Sequence, residues 1–313
     1  MNHVILGAGG SIGNALTYEL LSTNENVKLV SRRNFSIEGA ESFQGDISSY
    51  SDTLNSVKNA DVVYLCAGLP YDSDVWSVMW PKIMQNAIDA CKKVNAKLIF
   101  FDNVYMYGKV DGKMTEKSPY DPCSRKGEIR ANIAIMLQDE MRSNNLQGII
   151  ARSADLYGPY ITQSSVPYIM AFDNMLKGKK AQWLVDADKL HSFTYTIDSA
   201  KAMKLLSQKE ECFQQVWHMP TFNPGITGKM FIEIIAKELG VSPDFSVLKK
   251  WMIRLVGILN TTVYESIEMS YQNEFEYCFD STKFNDYFNY HPTSYPEGIK
   301  ETIRFIHSGS LNL

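Results

Sequence analysis

Two groups of residues in this chain have types and spacings that could do chemistry. The first is GAGGSIG, which places Gly7, Gly10 and Gly13 between the apolar run VIL and a helical stretch. Glycines allow the backbone to turn tightly and to approach a pyrophosphate, whose charge the following helix N-terminus attracts. After a strand and before a helix, the turn formed by Gly7, Gly10, Ser11, Ile12 and Gly13 predicts a dinucleotide site. Its spacing is GxxGxxG, and the third glycine of a strict GxGxxG would fall on Ile12.

The end of the second apolar run, where an acid would meet the adenosine ribose, reads Ser31-Arg32-Arg33. An acid there would repel a 2′-phosphate, whereas two guanidiniums can bind it through charge-assisted bonds. NADP is therefore predicted in preference to NAD, the alternative being two solvated arginines in a surface loop. Asp46, after ESFQG, could accept from an adenine amino group or simply close a turn.

The second group lies in SPYDPCSRKGEIRA, residues 118–131, a loop that becomes a helix. Arg125, Lys126 and Arg130 crowd its first turns, where a helix dipole prefers acids. Lys126, Arg130, Ile133, Leu137 and Met141 follow helical spacing, so the two cations prolong an apolar stripe. Cations on such a face need an anionic or hydroxyl-rich partner, which a dinucleotide would supply. If the stripe ends earlier, both are solvated instead.

The elements that must hold these residues can be read from periodicity. HVILG, VKLVS, DVVYLCAG, KLIFFDN and QGIIARS are short, almost continuously apolar strands, with helices at about 11–22 and 75–93 and a third beginning in the cationic stretch. Strands buried on both faces and alternating with helices predict an α/β, doubly wound parallel sheet of Rossmann type. After residue 156 the pattern loosens into turns at YGPY, NPG and HPTSYP. We expect residues 1–155 to form a dinucleotide-binding domain, with about 191–218 returning to it. Residues 156–190 and 219–313 would form a smaller, C-terminal substrate lobe.

Composition narrows the function classes. With 313 residues, a net charge of −4 and a pI near 5.8, the chain has no general drive toward nucleic acid or anionic membrane. No apolar run reaches a membrane span, and VIL is too short for a signal peptide. The five cysteines lack any CxxC pair and the five histidines are scattered, which predicts reduced thiols, a cytoplasmic protein and no metal site.

With the third turn, LCAG, in place, the chain resembles the extended short-chain dehydrogenase/reductase family, which includes nucleotide-sugar epimerases and dehydratases. VYMYG (104–108) resembles its VYG turn and ARSADLYGPY (151–160) its R-x-x-N-x-YGP segment. HSFTYTIDSAKAM (191–203) resembles the stretch ending in a tyrosine, a hydrophobic residue and an aspartate before a helix. Residues 279–306 resemble its C-terminal tail. The resemblance adds Ala67 and Gly68 to the cofactor-binding residues. It also implies a Ser or Thr five residues before the VYG glycine, then Tyr-x-x-x-Lys on the next helix. Those places hold Asn103, Lys126 and Arg130.

In the family the tyrosine is the acid/base, and the lysine lowers its pKa and holds the nicotinamide ribose. By that comparison Arg130 could keep the ribose contact and Asn103 could polarise an oxygen. Lys126 beside Arg130 could exchange a proton near neutrality, since like charges disfavour the protonated form. Asp155 and His191 stand where members often have an asparagine and an arginine, and Glu274 and Glu276 stand near positions that are arginines elsewhere. Carboxylates disfavour a pyrophosphate, so the expected substrate is a small polar or sugar-like molecule rather than an ordinary nucleotide-diphosphate sugar. The expectation is hydride transfer with NADP by an altered catalytic set, with a non-catalytic NADP-binding sensor or scaffold as its rival. A homodimer is left open.

Overall fold

The apolar runs become neighbouring strands. In the computed structural model, which describes residues 1–161 and 165–309, seven strands form one sheet. They are β1 (Asn2–Leu6), β2 (Asn26–Ser31), β3 (Glu41–Gln44), β4 (Val62–Leu65), β5 (Lys97–Asp102), β6 (Gly148–Arg152) and β7 (Gln215–His218). All neighbours are parallel, in the order β3-β2-β1-β4-β5-β6-β7. The order reverses between β1 and β4, and in such sheets ligands bind at that switch point, outside the strands' carboxyl ends.

Both faces are covered. Helices α1 (Ser11–Leu21) and α5 (Thr196–Ser207) pack on one side, and α3 (Ser73–Val94) and α4 (Arg125–Arg142), with the short α2 (Tyr50–Ser56) alongside α3, on the other. Burial on both faces explains why β4 is wholly buried and reads VVYL without alternation. Strand β3, with the sequence ESFQ, is a sheet edge with no fully buried residue, and it carries no apolar signal from which it could have been foreseen. Pro81 sits inside α3 without ending it.

A second core gathers Tyr157, Phe172, Trp183, Phe193, Phe231 and Tyr295. It is built around α6 (Gly228–Leu239) and the helix Tyr295–His307, with small paired strands at 155–157 and 193–195 and at 181–184 and 245–248. Between these elements run α7 (Lys250–Gly257), α8 (Thr261–Ser266) and a 3₁₀ stretch, Ile267–Asn273. A strand pair, Lys113–Met114 with Cys278–Phe279, links this part of the chain to the loop before α4.

The loop after β5 is shaped by two close approaches. Gly108 ends a 3₁₀ turn at φ 62°, and a Cβ there would lie 1.9 Å from the Asp121 carbonyl oxygen. Gly127, in the first turn of α4, would bring a Cβ to 2.6 Å from the Tyr105 carbonyl. The start of α4 therefore lies directly on the β5 turn. Ser124 fixes that start by accepting from Gly127 N–H. Gly108→Ala is expected to cost roughly 2–4 kcal/mol of stability, from strain and overlap together. Gly10→Ala should cost far less, because Gly10 has φ −82° and no neighbour nearer to such a Cβ than 3.5 Å. Urea unfolding of the two variants checks the contrast.

Candidate cofactor and substrate site

The glycine turn lies at the carboxyl end of β1, at the switch point. Gly7 has φ 97°, and a Cβ on it would lie 2.4 Å from Ala67 Cα, so the turns after β1 and β4 rest on each other. Gly13 closes the turn from the helix side, its would-be Cβ 3.1 Å from the Gly7 carbonyl. Packing thus accounts for Gly7 and Gly13 but not for Gly10, which is exposed. Gly10 caps α1 with no side-chain hydrogen bond, and no acid stands in the first turn. The first amides of α1, including those of Ser11 and Ile12, therefore have no intrahelical acceptors. Asn14 Oδ1, one turn in, is buried without a partner. Open amides, a bare Gly10 and an unsatisfied Asn14 oxygen fit a ligand that brings phosphates and donors.

Around this turn, Phe35 lies beside Gly9, and nothing lies within 4 Å of a Cβ added at Gly68. Arg32 and Arg33 follow β2 and are exposed. Asp46 adopts the turn geometry: its Oδ1 accepts from Ser48 N–H at 2.9 Å. The Ser48 amide holds the Asp46 carboxyl below the ordinary carboxylate range against partial desolvation, with Arg32 adding to the effect.

Lys126 and Arg130 are both buried. The sequence reading found no protein anion for either cation, and the structure supplies three. Lys126 Nζ donates to the Glu265 carboxylate, to Glu268 Oε1 at 2.9 Å and to the Glu265 carbonyl at 3.1 Å. It also lies 4.6 Å from the Tyr71 ring centre. Arg130 donates through Nε to Asp102 Oδ1 at 2.8 Å, with its second nitrogen on the same oxygen. Its guanidinium faces Trp80 and Phe100 at 4.5 and 5.0 Å.

Asp102, the last residue of β5, also receives Arg152 Nε on its other oxygen at 3.3 Å. Arg152, fully buried, donates to the Tyr107 hydroxyl at 2.8 Å and to the Tyr120 hydroxyl. Burial raises the Tyr107 hydroxyl to about 12 even though Arg152 opposes the shift. Tyr107 in turn meets His218 Nε2 at 2.8 Å, and His218 Nδ1 meets the Asp280 carbonyl at 2.7 Å. A carbonyl can only accept, so Nδ1 carries the proton and Nε2 accepts from Tyr107.

Asn103 accepts the Tyr105 N–H through Oδ1 at 3.1 Å. That bond assigns the amide orientation and directs Nδ2 as a donor. Asp155 Oδ2 lies 2.9 Å from His191 Nε2, and His191 stacks on Tyr277 at 4.2 Å. Asp155 is the more exposed member of the pair. Glu274 pairs with Lys250 and accepts from the Ser270 hydroxyl at 3.3 Å.

The sequence matches the NAD dependent epimerase/dehydratase family over residues 3–217. The chain belongs to that family. Solved structures with the same fold include the UDP-glucose 4-epimerase of Thermus thermophilus in complex with NAD, at 17% identity and TM-score 0.80 over 98% of this chain and 99% of that one. The dTDP-glucose 4,6-dehydratase of Bacillus anthracis, also with NAD, aligns at 18% identity and TM-score 0.82 over 98% of this chain and 97% of its own. The UDP-glucuronic acid 4-epimerase of Bacillus cereus, with UDP-glucuronic acid and NAD, aligns at 19% identity and TM-score 0.81 over 98% and 99%. No curated protein matches the sequence.

Because β1, β4 and β5 run parallel, the glycine turn and the β5 turn share one end of the sheet. Sequence reasoning missed Glu265, Glu268 and Arg152 as partners of the cationic helix. The first two are more than 130 positions away from Lys126, and nothing in a single sequence pairs them with it. Arg152 was legible only as part of a motif. Among the described residues no group of His, Cys, Asp and Glu could hold a metal, and no helix is long and apolar enough to cross a membrane.

The His218 arrangement has a consequence for acid stability. Burial lowers this imidazole from 6.5 to about 3, with the Asp280 carbonyl opposing the shift. Between those values the unfolded chain binds the extra proton, so stability is complete above 6.5 and falls as pH drops toward 3. The limiting slope for one such group is about 1.4 kcal/mol per pH unit. His218→Asn should be less stable than the native protein near neutrality and should lose less further stability down to about pH 5. Chemical unfolding at several pH values checks the difference in slope.

Proposed function

We propose that this chain binds NADP at the glycine turn and works as an oxidoreductase of the epimerase/dehydratase type on a small polar or sugar-like substrate. The observation that carries the cofactor reading is Gly10: its missing side chain serves no protein contact, yet it stands beside the uncapped amides of α1. In this reading the turn of Gly7, Gly10, Ser11, Ile12 and Gly13 takes the pyrophosphate, and Ala67 and Gly68 leave room along the next turn. Asp46 accepts from the adenine amino group. Arg32 and Arg33, exposed at the end of β2, favour a 2′-phosphate, although the solved relatives carry NAD. When bound, the nicotinamide supplies the hydride acceptor or donor.

The chain's own residues would then position and polarise. Asn103 Nδ2 donates to a substrate oxygen, Lys126 stands at the place of the family's tyrosine with its charge held by Glu265 and Glu268, and Arg130 holds its position through Asp102. The native NADP over NAD preference should largely disappear in Arg32→Ala with Arg33→Ala, a loss on the order of 1–3 kcal/mol. Fluorescence titration with both cofactors measures it, and equal native affinities would count against the assignment. Gly10→Val should abolish cofactor binding while the fold survives, because the open position at Gly10 tolerates a Cβ.

One observation favours the second reading, a non-catalytic NADP-binding sensor or scaffold. Lys126 is committed to two carboxylates and Arg130 to a third, so neither cation is free for proton transfer in this arrangement. Steady-state turnover assays across small polar alcohols and carbonyl compounds separate the readings. Activity that Lys126→Met reduces without changing NADP affinity supports the enzyme; cofactor binding with no turnover on any of them supports the sensor.

A further inference from the structure

Residues 258–268 include no fully buried residue, and Ile258, Leu259 and Tyr264 are 76%, 92% and 62% exposed. The segment is anchored at both ends, by buried Ile253 and Gly257 before it and by buried Met269, Ser270, Tyr271 and Gln272 after it. Between these anchors its polar attachments to the body run through the side chains of Glu265 and Glu268 and through the Glu265 carbonyl, which accepts from Lys126 Nζ at 3.1 Å. Glu265 accepts from Lys126 Nζ and from Ser73 N–H, the first amide of α3, at 3.0 Å. Glu268 accepts from Lys126 Nζ at 2.9 Å and from Arg125 N–H, the first amide of α4, at 2.8 Å. Each carboxylate thus sits at the positive end of a long helix, and both share one fully buried ammonium. Burial would raise the Glu265 carboxyl, but its bonds to Lys126 and Ser73 prevail and keep it below the ordinary carboxylate range.

Without the segment, Lys126 and the two helix ends would attract an anionic group from any substrate reaching the β5 turn. The chain's own carboxylates take those donors and bring two negative charges against one positive. We propose that residues 258–268 are a charge-latched cover over Lys126, and that Glu265 and Glu268 determine specificity by excluding anionic groups from that end of the cleft. This rests on reading the carboxyl end of β5 as the substrate side. Apolar burial holds little of the cover, so its closure depends on charge.

Hydrogen exchange and inorganic pyrophosphate binding test the proposal in the full-length protein. In Glu265→Gln with Glu268→Gln, amides of 258–268 should exchange at least tenfold faster than in the native chain, with the β1–β6 core unchanged. Lys126→Met should loosen the same segment by removing the ammonium that both carboxylates share, and it serves if the double variant does not fold. Calorimetry should show at least tenfold tighter pyrophosphate binding to the double variant than to the native protein; any binding at the glycine turn is common to both. Unchanged exchange in 258–268, or equal pyrophosphate affinity, overturns the proposal. NADP titration of the same variants reports separately on the cofactor site, so failure of one reading is not mistaken for failure of the other.

Discussion

The site end of this molecule depends on Asp102. Its carboxylate is buried at the tip of β5 and binds two buried guanidiniums, Arg130 from α4 and Arg152 from β6. Neither arginine could stand there alone, since an unpaired buried charge costs several kcal/mol. One acid between two bases leaves an excess positive charge, which the Tyr107 and Tyr120 hydroxyls and ring faces share. From Tyr107 the network passes to neutral His218 on β7 and on to the Asp280 backbone. The central strands, the cationic helix and the C-terminal segment are thereby joined through one polar chain.

The same arrangement fixes where the cations of α4 act. Gly127 lets the helix start lie against the β5 turn, and the stripe of Ile133, Leu137 and Met141 buries the remainder against the sheet. Lys126 and Arg130 are then carried into low-dielectric surroundings, where each requires an anion. The fold meets that need locally for Arg130, through the strand beneath it. For Lys126 it does so remotely, through a segment more than 130 residues later. A site whose charges are satisfied internally is preorganised, and it is also selective, because an incoming group must match what the chain has already provided.

The cofactor end follows a different logic. There the protein leaves polar groups unsatisfied: the first amides of α1 lack an intrahelical or side-chain acceptor, and the buried Asn14 Oδ1 has no donor among the described residues. Unmet polar groups at a surface turn are available to a ligand, whereas the charged groups of the Asp102 network at the β5 end all have protein partners.

The sequence by itself determined the α/β alternation, the parallel sheet and the glycine turn, because each is a local signal: apolar runs of strand length, helical periodicity, and glycines between a strand and a helix. It aligned Lys126 and Arg130 with the apolar stripe of their helix but left open whether they are buried, which the structure decided. It left out β3, whose ESFQ sequence has no apolar pattern, and it did not pair Asp155 with His191, which come together only when two short strands align in parallel. The tertiary structure alone decided the partners of the cations. Ion pairs form between groups brought together by packing, and neither Glu265 nor Asp102 differs in sequence from an ordinary surface acid. Residue type and spacing set which charges must be neutralised, while chain topology set which residues neutralise them.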